Sequence, residues 1–441
     1  MSAVINQHPS VTTSSLGQNA RLELLQKVEG QLGGRLTGIN LCTQDDAILT
    51  TNEDRTLRVL LKRDSGQYWP SIIQDLPHIP TKLYFVENKN LIFVGLVNGL
   101  VHEYSIENDF NSISFKRVWP SHTGPVTGIA HCNKHSFIVS CSRDKTVVWH
   151  STTSTNKIGS YYAQSPCTTM EFDEDSSFVF VGDYASNFYI LRLNEGSPQA
   201  HLISKLSAHT GAITALAWDS TNQLLYSAST DSLVIVWDIG GKRGNCYELS
   251  GHNSKLTTLA LGPKSRRLFS ADESGRLICW DMRAKRIMAP AWRDTDHCEI
   301  CDSPFFWNFK VMWDRKIVGV RRHHCRTCGQ SVCSNCCNNT TIFPAMGFEK
   351  PARICKTCHG KMETYPDQFD LTPLAVTNDL RQGIVQMTLD EQKKKLVSVG
   401  FDRVIMIWDW RNIHRNFGSK KVAGINSNLF NEFVKLERKL N

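Results

Sequence analysis

A mark recurs along this chain: a histidine, several short apolar runs, then a tryptophan followed by aspartate. Gly251-His252 leads to Trp280-Asp281, Ala208-His209 to Trp237-Asp238, and Ser121-His122 to Trp149-His150, where His stands in place of Asp. His209 and His252 are one period apart and His122 and His209 are two, so a degenerate copy must lie between, and 167–193 supplies it. Two further degenerate copies precede, at 36–61 and 83–106, and a last one, 383–410, ends in Ile405-Met406-Ile407-Trp408-Asp409. Within each copy apolar residues alternate over short runs, as in Leu233-Val234-Ile235-Val236-Trp237, with Asn, Asp, Ser and Gly between them. This pattern predicts short strands joined by turns.

A period of about 40 to 45 residues with Gly-His and Trp-Asp marks resembles WD40 repeats, and the resemblance implies the blades of a β-propeller. In that family the blade's His, an Asp in the turn before the third strand, a strand Ser or Thr and the Trp indole hydrogen-bond one another. Asp231 before Trp237 and Asp402 before Trp408 fit the Asp role. Ser274 occupies that position before Trp280, so the network of that copy is expected to be incomplete. Rings of this family close by pairing an N-terminal strand with the last blade, and 24–28 is the candidate strand.

Trp280 and Trp408 stand about three periods apart, which leaves about 85 residues of extra chain between the sixth and seventh copies. Loops at 283–290 and 364–373 flank the extra chain, and face loops of a ring tolerate insertions because they are solvent-exposed. The expected fold is all-β: a seven-bladed propeller with a small module inserted between blades six and seven. Blades one to six take 21–282, the module 291–363 and blade seven 374–410. Residues 1–20 are polar and read as a disordered arm. The basic tail 411–441 carries Leu429, Phe433, Leu436 and Leu440 at helical spacing, which predicts an amphipathic helix.

The inserted stretch, 298–358, holds eight cysteines in four Cys-x-x-Cys pairs: Cys298/Cys301, Cys325/Cys328, Cys333/Cys336 and Cys355/Cys358. Two intervening residues let both sulfurs of a pair reach one ion, and zinc takes four such ligands as a tetrahedron. Eight ligands make two closed sites and call for two Zn2+ ions. The short gap between the second and third pairs favours cross-bracing: Cys298, Cys301, Cys333 and Cys336 in one site, Cys325, Cys328, Cys355 and Cys358 in the other. Cys337 adjoins Cys336 and could compete as a ligand, but the spacing favours Cys336. Closed sites leave no open position for water or substrate, so this zinc is structural. RING, LIM and PHD modules also use such pairs, usually with a histidine ligand; here eight cysteines already suffice, which leaves His323 and His324 for another task.

The run Arg321-Arg322-His323-His324-Cys325-Arg326 resembles the basic motif of FYVE zinc fingers, which bind phosphatidylinositol 3-phosphate. Arg353-Ile354-Cys355 resembles that family's Arg-Val-Cys, and Trp292 the start of its Trp-x-x-Asp, with Thr295 at the Asp position between Asp294 and Asp296. The resemblance implies a lipid site made of Trp292, Asp294, Arg321, Arg322, His323, His324, Arg326 and Arg353. It also implies that Ile317 and Val318, just before the motif, insert into the bilayer. The physics agrees, since a phosphomonoester offers charge and strong acceptors and arginine a planar fork of donors that matches them. Residues 292–362 hold 11 Lys and Arg against 6 Asp and Glu. Eight thiolates and two zinc ions bring this module close to neutrality, so phosphate recognition must be local.

Both features together resemble the WD repeat and FYVE domain-containing proteins of early endosomes. The resemblance implies a non-enzymatic adaptor: the finger finds phosphatidylinositol 3-phosphate membranes and the propeller holds protein partners. The near-neutral module leads us to expect a homodimer or a second contact to add avidity. A RING-like ubiquitin ligase that docks an E2 is the alternative. Nucleic-acid binding is not expected, because no helix carries regularly spaced Lys and Arg. With 41% hydrophobic and 21% charged residues in 441, the chain fits a soluble globular class. No run of about 18 apolar residues occurs, and neither a signal peptide nor a myristoylation signal is seen. The cytosol and the cytoplasmic face of early endosomes are therefore the expected compartments, and there 15 cysteines act as thiols and metal ligands.

Overall fold

The computed structural model describes residues 21–43, 46–194, 197–240, 246–366 and 369–415. The arm 1–20 and the helix expected in the tail lie outside the described residues. Seven four-stranded antiparallel sheets are formed. The first is a plain meander of Leu36–Cys42, Ala47–Asn52, Thr56–Lys62 and Tyr68–Asp75. Sheets two to five repeat it through 80–120, 126–162, 167–207 and 213–249. The chain is thus a seven-bladed β-propeller.

Apolar alternation turns both faces of each sheet towards its neighbours. Seven buried clusters result, one at each junction between adjacent sheets, and they run round the ring from sheet one to sheet seven and back to sheet one. The ring closes as expected. Strand Glu23–Val28 pairs antiparallel with Ile405–Asp409, supplying the outer strand of the seventh sheet.

The sixth sheet is completed across the insertion. Its first three strands are Leu256–Gly262, Arg267–Asp272 and Arg276–Asp281, and its fourth is Ala375–Asp379, on the far side of the finger. The finger follows the sixth Trp-Asp mark and precedes the last sheet. Counted by strands, it separates the third and fourth strands of sheet six, so the first strand after the finger belongs to sheet six and not to sheet seven. Sheet seven starts at Ile384–Asp390.

Three expectations about the repeat network are corrected. The network of the sixth copy is complete. His252 Nδ1 lies 2.8 Å from Asp272 Oδ2 and its Nε2 2.6 Å from Ser270 Oγ, which also accepts from Trp280 Nε1 at 2.8 Å. The carboxylate comes from the end of the second strand rather than from the following turn, and Ser274 donates its hydroxyl to that carboxylate at 2.7 Å. Burial acts to raise the Asp272 pKa, but hydrogen bonds from His252, Ser274 and the Arg276 amide hold it down to about 2. In the third copy, the register pairs Ile138 with His150, as Leu225 pairs with Trp237. His150 therefore fills the tryptophan slot, and Trp149 turns to the opposite junction, among the side chains between sheets three and four. The carboxylate of that copy is Asp144, 3.3 Å from His122. In the seventh copy, among the described residues, Asp402 accepts only from the Val404 amide in its own turn, at 3.2 Å. Leu380 stands at the spacing where a histidine would reach it.

The finger is built of two small hairpins and two helices. Arg322–His324 pairs with Ser331–Cys333, and Asn339–Phe343 with Phe348–Ile354. Helix α1 is Phe309–Arg315 and helix α2 is Lys356–Thr364. The segment 344–350 fastens the finger to the outer edge of sheets five and six. Ser250 donates its amide to Gly347 O at 2.8 Å and accepts from the Glu349 amide at 2.9 Å. Lys350 Nζ reaches His252 O at 2.6 Å, and Glu349 Oε1 accepts from the Leu374 amide at 2.8 Å. Gly347 is required by close approach: a Cβ there would lie 2.0 Å from Glu248 O, at a φ of +85°. Phe343, Met346 and Phe348 form a small apolar cluster on this seam, with Ile287 and Phe369 against it.

Candidate functional site

Each Cys-x-x-Cys pair sits in a tight local turn that aims both sulfurs inward. Cys298, Cys301, Cys333 and Cys336 converge in one group and Cys325, Cys328, Cys355 and Cys358 in the other, with all sulfurs of a group within 4.8 Å of one another. A Zn–S bond of about 2.3 Å sets the edge of a sulfur tetrahedron at about 3.8 Å. Cys301 and Cys333 sulfurs are 3.7 Å apart, and Cys328 and Cys355 sulfurs 3.9 Å. The donor sets therefore fit two Zn2+ ions, cross-braced as the spacing predicted. Backbone amides complete the knuckles: Cys333 N lies 3.3 Å from Cys298 Sγ and Cys355 N 3.2 Å from Cys325 Sγ. Cys337 is buried and belongs to neither group. Zinc supplies only cross-linking here, since each closed group leaves no ligand position free.

The basic run lies on the strand leading into the second group. His324 points inward. Its Nε2 approaches Arg293 O at 3.0 Å and Ser331 Oγ at 3.2 Å, and its ring stacks on Trp292 at 4.6 Å and 11°. The Arg326 guanidinium covers Trp292 at 4.4 Å. Trp292 is thus held between a histidine and an arginine of the motif and orients both. The Arg326 amide donates to Arg353 O at 3.0 Å, which brings the distant Arg353 beside the run. Burial first, then the charges of Arg353, Arg321 and His324, hold the His323 imidazole below its usual pKa. Arg321, His323 and Arg353 therefore share one local field. Among the described residues, no carboxylate pairs with Arg321, Arg326 or Arg353.

Arg322 is held differently. Its guanidinium covers the Trp307 ring at 4.6 Å and pairs with Asp294. Thr295 turns away, donating its hydroxyl to His297 O at 2.7 Å. The acidic group beside the motif is therefore Asp294, one position before the expected place. Ile317 and Val318 are exposed, Val318 at 80%. Sequence reasoning missed Phe309 and Trp313 as surface groups; both are exposed on α1. The one available signal was the density of aromatics between Cys301 and the motif.

Residues 291–364 match the family described as FYVE zinc finger, and 113–150, 200–238 and 244–281 match WD domain, G-beta repeat. The chain is 48% identical over 413 residues to WD repeat and FYVE domain-containing protein 2 of Caenorhabditis elegans, covering 94% of this chain and 98% of the relative. This chain belongs to the WD repeat and FYVE domain-containing family. Protein 1 of Bos taurus is 43% identical, over 89% of this chain and 94% of its own. Human protein 2 is 41% identical, over 88% and 95%. The RING-type alternative is not favoured: both sulfur groups are all-cysteine, and His323 and His324 lie outside them. Among the described residues, no helix is long and apolar enough to cross a membrane.

Proposed function

We propose that this family member is a non-catalytic peripheral adaptor. Its finger binds phosphatidylinositol 3-phosphate on the cytoplasmic face of early endosomes, and its propeller recruits protein partners for trafficking or signalling. The observation that carries the reading is the shared field of Arg321, His323 and Arg353 beside one zinc group, with Arg326 joined to Arg353 through the backbone and, among the described residues, no carboxylate on the three arginines. A phosphomonoester supplies the missing acceptors. Arg322 offers a further fork at the edge of this field. Its pairing with Asp294 is solvent-exposed and therefore weak, so the arginine is free to turn to phosphate while Asp294 accepts from inositol hydroxyls. His323 donates as a neutral ring. Trp292 and His324 act by positioning. Ile317 and Val318 enter the bilayer, each worth roughly 1.5–3 kcal/mol if fully buried. The cytosol holds the unbound form, and self-association adds avidity.

The test is a panel of vesicles, each carrying one phosphoinositide, comparing wild type with Arg322→Ala. Flotation confined to the 3-phosphate vesicles is expected, with about a tenfold or greater loss in the variant, ~1.4 kcal/mol. Equal binding to every phosphoinositide, or an unaffected variant, overturns the reading.

A further inference from the structure

We infer that helix α1 is a second membrane-inserting element, whose Phe309 and Trp313 enter the lipid bilayer beside Ile317 and Val318. The inference rests on the lipid reading above and enlarges its contact surface.

The helix is short but firmly built. Asn308 caps it, its side chain accepting from the Val311 amide at 3.3 Å. Lys316 ends it in a left-handed conformation, with its amide on Trp313 O, and the Ile317 amide returns to Met312 O at 3.2 Å. Arg315 ties it to Asp302 at 2.8 Å. At its base, Phe305 and Val320 form a parallel bridge. Gly319 packs so tightly that an added Cβ would lie 2.9 Å from both Met312 Sδ and the Phe306 backbone. Residues 305–320 therefore form one closed protrusion.

Apolar groups cover its tip. Phe309 is 73% exposed and Trp313 85%, and their spacing of four puts them on one helix face. Among the described residues, neither ring stacks on another ring, and α1 has no buried residue. A soluble surface seldom carries so many large apolar groups together unless they mark a contact. Two observations choose a bilayer as the occupant. The patch is continuous with the basic site, because Trp307, just before the helix, lies under the guanidinium of Arg322. The tip also mixes exposed aromatic rings with exposed Lys310 and Lys316, which suits an interface between acyl chains and anionic headgroups.

The experiment uses the full zinc-loaded chain, phosphatidylcholine vesicles carrying phosphatidylinositol 3-phosphate, and soluble inositol 1,3-bisphosphate as headgroup. A Phe309→Ser, Trp313→Ser double variant is expected to lose about tenfold or more in vesicle partitioning while binding the soluble headgroup as wild type does. Wild-type partitioning in that variant overturns the inference and leaves the lipid reading standing, provided Arg322→Ala loses both vesicle and headgroup. If wild type binds neither, the lipid reading fails and the inference with it. A change from dimer to monomer in the double variant makes the patch a self-association surface and also overturns the inference. A second measurement does not depend on the double variant folding: brominated acyl chains should quench a component of wild-type tryptophan emission that Trp313→Phe lacks. Absence of that component overturns the inference.

Discussion

Ser270 serves two neighbours at once, His252 and Trp280, inside the wall between sheets five and six. Burial lowers the pKa of His252, so its ring is neutral; with Nδ1–H donated to Asp272, Nε2 accepts from the serine. Ser270→Ala should leave both rings with an unpaired buried nitrogen, at about 1–3 kcal/mol for each group. Among the described residues, the Ser398 hydroxyl bonds only to Trp408, accepting from its Nε1, so Ser398→Ala should cost less. Chemical denaturation of the two variants checks the order, and equal losses would contradict it. This network was half legible in the sequence. The His and Trp marks were visible because their side chains must meet at fixed spacing. The carboxylate was not, because Asp272 reaches His252 from the strand end and Asp231 reaches His209 from the turn, two backbone routes to one point. The Trp149-His150 pair misled in the same way: spelling suggests a tryptophan followed by a substituted aspartate, while strand register gives the slot to His150.

The segment 344–350 is the element that sets the finger's pose, and no motif announced it. It holds neither a zinc ligand nor a repeat mark, and its role exists only because sheet five offers Ser250 beside it. Glu349 within it is half-buried, and this loss of solvation pushes its carboxyl up to about 7 against the Leu374 amide and the charge of Arg286. The unfolded group loses its proton near its ordinary value of 4.5. Between these values the folded state binds more protons, so stability is greatest at the acid end and declines as pH rises to about 7. A Glu349→Gln variant lacks this decline. With zinc present, its stability advantage over wild type should grow by ~1–2 kcal/mol between about pH 5.5 and 7.5. A constant gap, followed by thermal unfolding, would remove Glu349 from the seam. Helix α1 was likewise hidden, since seven residues are too few for a periodic pattern; only its aromatics showed.

For the whole molecule, the ring and the two zinc groups were readable early, because each rests on spacing, and spacing survives without coordinates. The interruption of sheet six was not, since the repeat ends at Trp-Asp while the sheet needs one more strand. Strand Ala375–Asp379 is held in place across 282–374. With the finger folded, the ends of that stretch are already near each other; with zinc stripped, closing it as a flexible loop costs about 4 kcal/mol. A chelator should therefore abolish hydrogen-exchange protection in 291–364 and in Ala375–Asp379, while the inner strands of the other sheets stay protected. Unchanged exchange in Ala375–Asp379 would show that the sheet does not depend on the finger. The seam at Ser250 has a geometric consequence as well. A seven-fold ring has no intrinsic heading, but a finger fixed at the boundary of sheets five and six gives it one. Sheet two lies diametrically opposite that boundary. Under the proposed lipid docking, a partner seated on sheet two would be carried to the far side of the disc, and one seated on sheet five or six would stay close to the lipid. Position around the rim would thereby become an address measured from the bilayer.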